Sequence, residues 1–286
     1  MHDYPISNTQ RNAKDVKPRM TLTWIKTLGT ALVAALAWIA AAQATECPRK
    51  DALGTSRILN VDPANYPRVG LKSFSQTLPL EDHEVVLTFD DGPVPGPTTK
   101  VLAALAHECV LATFFVVGKP ASEHPELLRR IAAVGHTIGH HTWAHYSTKK
   151  LAPDAAAAEI DKGIAEVEKI LHGNATTSPS TPFFRYPYFD MTPATLNLLE
   201  KRGIAVFGAD LWASDWKQMT PTQELKLLAE RLQIARKGII LLHDTRAQTA
   251  AMMPAFLRYL RDNHYRVVHL VSRPPGTTAA AIQNPQ

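Results

Sequence analysis

Two adjacent carboxylates, Asp90 and Asp91, follow directly on the apolar run Val85-Val86-Leu87-Thr88-Phe89 and precede Gly92-Pro93. A Gly-Pro pair turns the chain where a strand ends, and side chains alternate along a strand. Neighbouring aspartates there can therefore face different ways, one toward a metal and the other toward a water whose proton it can take. A plain solvated turn has the same composition. The second cluster is His136-Thr137-Ile138-Gly139-His140-His141-Thr142-Trp143-Ala144-His145, which holds four of the chain's 12 histidines. A spacing of four sets two imidazoles on one helical face, close enough to share a divalent ion. Two pairs meet that spacing, His136/His140 and His141/His145. Two imidazoles and one carboxylate leave coordination positions open for water and substrate, the pattern of catalytic rather than structural zinc.

Three further segments carry polar residues just after apolar runs: Phe184-Arg185-Tyr186-Pro187-Tyr188, Asp210 to Asp215-Trp216, and Leu241-Leu242-His243-Asp244. Each has an ordinary structural reading. Arg185 can neutralise a buried acid, Trp216 can belong to the core, and His243 can be a hydrogen-bonded buried histidine.

The elements that would position these groups alternate between short β-rich runs and capped amphipathic helices, the signature of parallel βα units. Strands are expected at Val85–Phe89, Leu111–Val117, Thr137–Gly139, Pro182–Arg185, Ile204–Gly208, Ile239–Leu242 and Arg266–Leu270. Thr192-Pro193 and Thr220-Pro221 read as helix starts, with Gln223 completing a capping box, and Gly135, Gly203 and Gly238 read as helix stops. Ile160, Ile164, Val167 and Leu171 form a core-facing helical stripe. The expected fold class is α/β, either a barrel or an open doubly wound sheet, and both gather chemistry at the carboxyl ends of the strands.

The chain has 286 residues, and 45% apolar content is ample for a packed core. The formal charge of +5 comes from 31 Lys/Arg against 26 Asp/Glu; residues 1–44 hold five of the former and two of the latter, so the remainder carries only +2. That near-balance, without a basic stripe interleaved with aromatics, gives no footprint for a nucleic-acid partner. Lys17, Arg19 and Lys26 precede the apolar run from Thr30 to Ala42, and Ala42-Gln43-Ala44 supplies small residues for cleavage. Residues 1–44 thus read as an export signal, with Met20 as an alternative start and a mature chain beginning near Thr45. An uncleaved anchor is the competing reading, but the run is short for a span. Cys47 and Cys109 are the only cysteines. In an oxidising compartment such a pair is a candidate disulfide. Residues 45–80 read as an irregular lead-in, residues 81–275 as the catalytic domain and residues 276–286 as a flexible tail.

Taken in order, the five polar segments resemble the NodB-homology polysaccharide deacetylases, carbohydrate esterase family four, over roughly residues 80–272. Thr88-Phe89-Asp90-Asp91-Gly92 is similar to the first motif, which implies Asp90 as catalytic base and Asp91 as metal ligand. His141-Thr142-Trp143-Ala144-His145 resembles the metal motif and selects His141/His145 over the rival pair. Arg185-Tyr186-Pro187-Tyr188 resembles the third motif, implying that Arg185 orients the base and that the Tyr188 backbone N–H holds the oxyanion. Asp215-Trp216 and Leu242-His243 resemble the last two. They imply an Asp215 that steadies a general-acid His243, with Trp216 lining the site and Leu242 against the acetyl methyl.

The resemblance implies a distorted (β/α) barrel with about seven parallel strands. It also implies one divalent ion, Zn2+ with Co2+ or Ni2+ as alternatives. The implied partner is an N-acetylated glycan such as a chitin oligosaccharide or peptidoglycan, acted on by an exported monomer that meets the membrane only through its leader. An O-acetyl esterase acting on a polymer such as xylan and an inactive glycan-binding member are the competing readings. Asp210 lies further from Asp215-Trp216 than the pattern expects, and His140 stands where a small or amide residue is expected, so neither receives a role.

Overall fold

The strand Glu84–Asp90 is buried at every position. Val85, Leu87 and Phe89 enter one hydrophobic cluster and Val86 another, so the residues are apolar on both faces and show no alternation in sequence. The computed structural model describes residues 47–272. Its first half runs β1 (Thr55–Val61), β2 (Arg68–Val69), β3 (Glu84–Asp90), α1 (Pro97–His107), β4 (Thr113–Val116), α2 (Gly118–Glu123), α3 (Pro125–Ala133), β5 (Thr137–His140) and α4 (Pro153–His172). The second half runs β6 (Phe183–Phe184), α5 (Pro193–Lys201), β7 (Ala205–Phe207), β8 (Leu211–Trp212), α6 (Pro221–Ala235), β9 (Gly238–His243), α7 (Ala247–Asp262) and β10 (Arg266–Ser272).

All seven expected strands form, as β3, β4, β5, β6, β7, β9 and β10. Every strand pair is parallel, along the path β8-β9-β3-β4-β5-β6-β7. The two ends of that path, β7 and β8, are joined by residues 208–210 alone. The four Cα–Cα steps from Phe207 to Leu211 reach only about 14 Å, so the sheet has to curl back on itself into a barrel-like α/β fold. Thr192 with Thr195 and Thr220 with Gln223 make reciprocal caps at the starts of α5 and α6.

One core cluster lies between the sheet and the helices and includes Leu105, Leu128, Val167, Leu232 and Phe256. Another gathers Val86, Phe115, Phe183, Phe207 and Ile239 with Val61, Leu78 and Leu80 from before β3. Those last residues correct the reading of residues 45–80 as an irregular lead-in. β1 pairs in parallel with β10, and β2 with β7. Both are edge strands; β1 has exposed positions at Ser56 and Ile58, and β2 is two residues long, so neither shows a clean apolar period. Cys47 and Cys109 form a disulfide with Cα atoms 5.7 Å apart. Beside it, Glu108 accepts hydrogen bonds from Leu53 N (3.0 Å) and Arg49 (3.0 Å), so three contacts fasten the approach to β1 onto the end of α1. The leader expected in residues 1–44 and the tail expected in residues 276–286 lie outside the described residues. Among the described residues, no helix is long and apolar enough to cross a membrane.

Candidate active site

The polar residues singled out in the sequence collect where strands end. Asp90, the last residue of β3, is in register with His243, the last residue of β9. His140 ends β5 in register with Phe184 of β6, so His141 and Arg185 leave neighbouring strands side by side. Asp90, His141, His243 and Trp216 line a cleft of about 490 Å³ that Asp91, His145 and Tyr188 complete.

Asp91 has a φ of 80° and Thr142 and His145 have φ of 66° and 60°. Asp and His tolerate the left-handed region, but a β-branched residue such as Thr142 enters it only where the surroundings impose it. This corrects the helical reading of the histidine pair: the segment from His141 to His145 is a loop after β5. Its backbone is held by α4, because Trp143 N donates to Glu159 O (3.0 Å) and Ala144 N to the Glu159 carboxylate (2.5 Å).

One donor atom from each of Asp91, His141 and His145 lies within 4.8 Å of the others, a grouping that suits one cation. His141 Nδ1 lies 2.7 Å from Arg185 O, so that nitrogen carries the proton and Nε2 presents its lone pair. Nε2 lies 3.5 Å from Asp91 Oδ1, and His145 Nε2 lies 3.1 Å from the same oxygen. Asp91 Oδ1 is buried without a hydrogen-bond partner, as expected of an oxygen shaped for a cation. Burial works against the Asp91 charge, but His141 and His145 outweigh it and hold the carboxyl well below the usual range. The donor set therefore fits a divalent metal.

The rival pair does not join this group. His136 is buried with Nδ1 accepting from Ala112 N (3.1 Å), and burial lowers it to about 4. His140 lies 3.7 Å from Glu168 of α4, also lowered by burial to about 4.

Alternation along β3 turns Thr88 and Asp90 to the inner face, where the fully buried Arg185 meets both. Its Nη1 donates to Asp90 Oδ1 (2.7 Å) and Thr88 Oγ1 (2.8 Å), and Nη2 donates to Gly208 O (2.8 Å). The guanidinium lies over the Phe115 ring, 4.2 Å from its centroid. On β9, His243 Nδ1 lies 2.7 Å from Asp215 Oδ1, while His243 N donates to Asp215 Oδ2 (2.7 Å). Burial alone would lower the His243 imidazole; Asp215, with Asp91 and Asp90 beyond, overcomes that and pushes it up to about 9. His243 Nε2 lies 4.0 Å from Asp91 Oδ2.

The same alternation corrects the placement of Leu242. It is fully buried in the cluster beneath the helices, while Leu241, two residues before His243, lines the cleft. Tyr188 (φ 58°) is 67% exposed and its hydroxyl lies 3.2 Å from His145 Nδ1. Trp216, 44% exposed, stands edge-on to His243 with centroids 6.1 Å apart. Phe189, Trp212 and Arg246 also line the cleft, and none was singled out in sequence. Asp210 lies elsewhere: its carboxylate accepts from Leu71 N, Thr77 Oγ1 and Ile239 N at 2.7–2.8 Å and ties the segment before β3 to β9.

Asp244 was missed as well. It is fully buried, accepts from Gly92 N (3.0 Å) and Thr98 Oγ1 (2.6 Å), and burial pushes it up to about 7. A Cβ at Gly92 would fall 2.1 Å from the Asp244 carboxylate, which is why the turn after the aspartate pair carries glycine.

The sequence profile described as polysaccharide deacetylase matches residues 78–207. The chain is 35% identical to a chitooligosaccharide deacetylase of Azorhizobium caulinodans over 161 residues, 56% of this chain and 73% of that one. It is also 35% identical to a peptidoglycan-N-acetylglucosamine deacetylase of Bacillus cereus over 139 residues, 49% of this chain but only 48% of the relative's length. Among solved structures, a peptidoglycan deacetylase of Bdellovibrio bacteriovorus superposes with a TM-score of 0.68 at 30% identity, over 79% of this chain and 62% of that one. The chitin deacetylase of Colletotrichum lindemuthianum gives 0.57 at 26% identity, over 67% and 86%. The chain belongs to the polysaccharide deacetylase family and is a hydrolase of that class.

Proposed function

We propose that this enzyme removes N-acetyl groups from an acetylated amino-sugar polymer or oligomer, releasing acetate, with Asp91, His141 and His145 holding one divalent ion, Zn2+ in the first instance. The observation that carries the reading is the opening of three structures on one cleft: the ligand triad, the Asp90–Arg185 pair and the His243–Asp215 pair. A divalent ion held there supplies Lewis acidity, acidifying water and polarising a carbonyl oxygen. Asp90, fixed through Oδ1 by Arg185, takes the proton of the attacking water. The Tyr188 backbone N–H donates to the oxygen on which charge develops, a contact commonly worth about 3 kcal/mol. His243, carrying its second proton because Asp215 faces Nδ1, delivers that proton from Nε2 to the leaving amine. Leu241 offers an apolar wall to the acetyl methyl, and Trp216 a ring face to the sugar.

An amide needs its departing nitrogen protonated far more than an ester needs its departing oxygen protonated. The built His243–Asp215 pair therefore favours N-acetyl over O-acetyl substrates. Acetate release from chitin oligosaccharides and peptidoglycan beside acetylated xylan tests this. N-acetylated glycans are expected to react at least about 100-fold faster; preference for the xylan ester would replace the proposal with the esterase reading. We further propose that the protein works after export, since a Cys47–Cys109 disulfide suits an oxidising compartment.

A further inference from the structure

Thr249 of α7 stands between two buried carboxyl groups. Its Oγ1 lies 2.9 Å from Asp215 Oδ2 and 3.0 Å from Oε1 of Glu224, a residue on the first turn of α6. Glu224 and Thr249 are fully buried, and Asp215 is 1% exposed. A hydroxyl has one proton, so Thr249 can donate to only one of these oxygens. At the other contact a carboxylic acid must be the donor, or two lone pairs face each other in the dark. Asp215 already accepts two N–H groups from His243, one of them on the oxygen that Thr249 approaches, and so takes the part of the anion. That leaves Glu224 to carry the proton. Its second oxygen, Oε2, is buried without a hydrogen-bond partner, a position that a carbonyl oxygen endures far better than an anionic one.

We infer that Glu224 is held as a neutral acid whose Oε1–H donates to Thr249, so that the Thr249 proton is committed to Asp215 and fixes the carboxylate that orients His243. Glu224 is thus a positioning residue at the closed end of a chain that runs Glu224, Thr249, Asp215, His243 and opens at the cleft. Burial, followed by the nearby Asp215 charge, pushes Glu224 up to about 7, outweighing the lowering pull of Thr249, Gln248 and His243. The arrangement has a chemical use. With three donors on Asp215, the imidazolium cannot pass its Nδ1 proton backward and retains Nε2–H for the leaving group. A neutral Glu224 also spares His243 a second anion, which would make it a weaker acid.

This inference rests on the proposed role of His243, and its first test does not involve activity. At about pH 6, infrared difference spectra of wild type minus Glu224→Gln are expected to show a carboxylic-acid C=O stretch that also survives in Asp244→Asn, which removes the other buried acid raised in the same way. Absence of that band from the wild-type minus Glu224→Gln difference overturns the inference even if the His243 role stands. The second test is kinetic. Thr249→Val is expected to lower kcat roughly 10-fold at unchanged KM, the scale of one hydrogen bond to a charged group. Thr249→Ser is expected to restore kcat, and Glu224→Gln, whose amide N–H replaces the acid O–H, is expected to retain at least about a third of it. A Glu224→Gln loss as large as that of Thr249→Val would also overturn it, since an amide would then fail where a neutral acid should be replaceable.

Discussion

At the scale of single residues the informative pair is Asp90 and Asp91, adjacent in sequence and assigned different work. Asp91 shares an oxygen with both imidazoles, while Asp90 meets Arg185, which also donates to Thr88. Asp91→Ala, His141→Ala and His145→Ala each remove a ligand and are expected to lose bound metal together with activity. Asp90→Asn keeps the shape and the ligand triad but cannot accept a proton, so metal content is expected to persist while kcat falls roughly 10²- to 10⁴-fold. Elemental analysis beside acetate release checks both; metal lost in Asp90→Asn and kept in Asp91→Ala would exchange the two roles. These residues were legible because polar side chains at the ends of apolar runs stand out. Asp244 and Glu224 were not, because what distinguishes them is burial against partners more than 20 residues away, Gly92 and Thr98 for the one and Thr249 for the other. The choice between Leu241 and Leu242 needed the strand's facing direction, which two equivalent leucines do not encode.

At the scale of elements, the metal loop owes its shape to α4. Gly163, in the middle of that helix, approaches the loop so closely that a Cβ would lie 2.4 Å from Thr142 C and 2.5 Å from Thr142 O. Two effects compete in Gly163→Ala. Alanine gains about 1 kcal/mol of helix propensity, whereas overpacking against a main chain that cannot step aside costs roughly 1–3 kcal/mol. The clash is with backbone, so it prevails, and it displaces the segment that carries His141 and His145. The expected outcome is a lower unfolding midpoint in urea and weaker metal retention, with α4 still formed by circular dichroism. A Gly163→Ala protein more stable than wild type with full metal content would show that the loop does not depend on this packing. The four-residue histidine spacing suggested a shared helical face and delivered a shared site by another route, a loop with left-handed residues at Thr142 and His145. Spacing constrains proximity and leaves the backbone conformation open. β1 escaped notice for a related reason, since a half-exposed edge strand displays no hydrophobic period, and β2 because two residues are too few to display one.

At the scale of the whole molecule, stability rests on a long covalent loop and on histidines buried without charge. The Cys47–Cys109 bridge spans 62 residues, and closing a loop of that length is worth about 4 kcal/mol in the entropic model. Thiol titration of the denatured, unreduced protein is expected to find no free thiol, and Cys47→Ser/Cys109→Ser to unfold at clearly lower urea. His269 of β10 supplies the acid-side argument. Its Nε2 lies 2.9 Å from Thr137 Oγ1 inside the fold, and burial lowers it from 6.5 to about 4. The unfolded chain therefore takes up the proton first. The His269 contribution is complete above pH 6.5, declines as the pH falls through the interval down to about 4, and is constant below that. The interval is worth roughly 3 kcal/mol, at 1.36 kcal/mol per pH unit. Asp244 and Glu224, raised toward 7 by burial, act in the opposite direction over the same range, since they bind protons more readily when folded. The wild-type curve is the sum of opposing slopes and cannot isolate one group. Comparison with His269→Gln can, because glutamine keeps a polar partner for Thr137 and does not titrate. Urea unfolding of both proteins at intervals between pH 7 and 4 is expected to show the variant gaining on wild type by roughly 3 kcal/mol across that span. Parallel curves would mean that His269 is protonated equally in the folded and unfolded chains, and that its burial does not exclude charge.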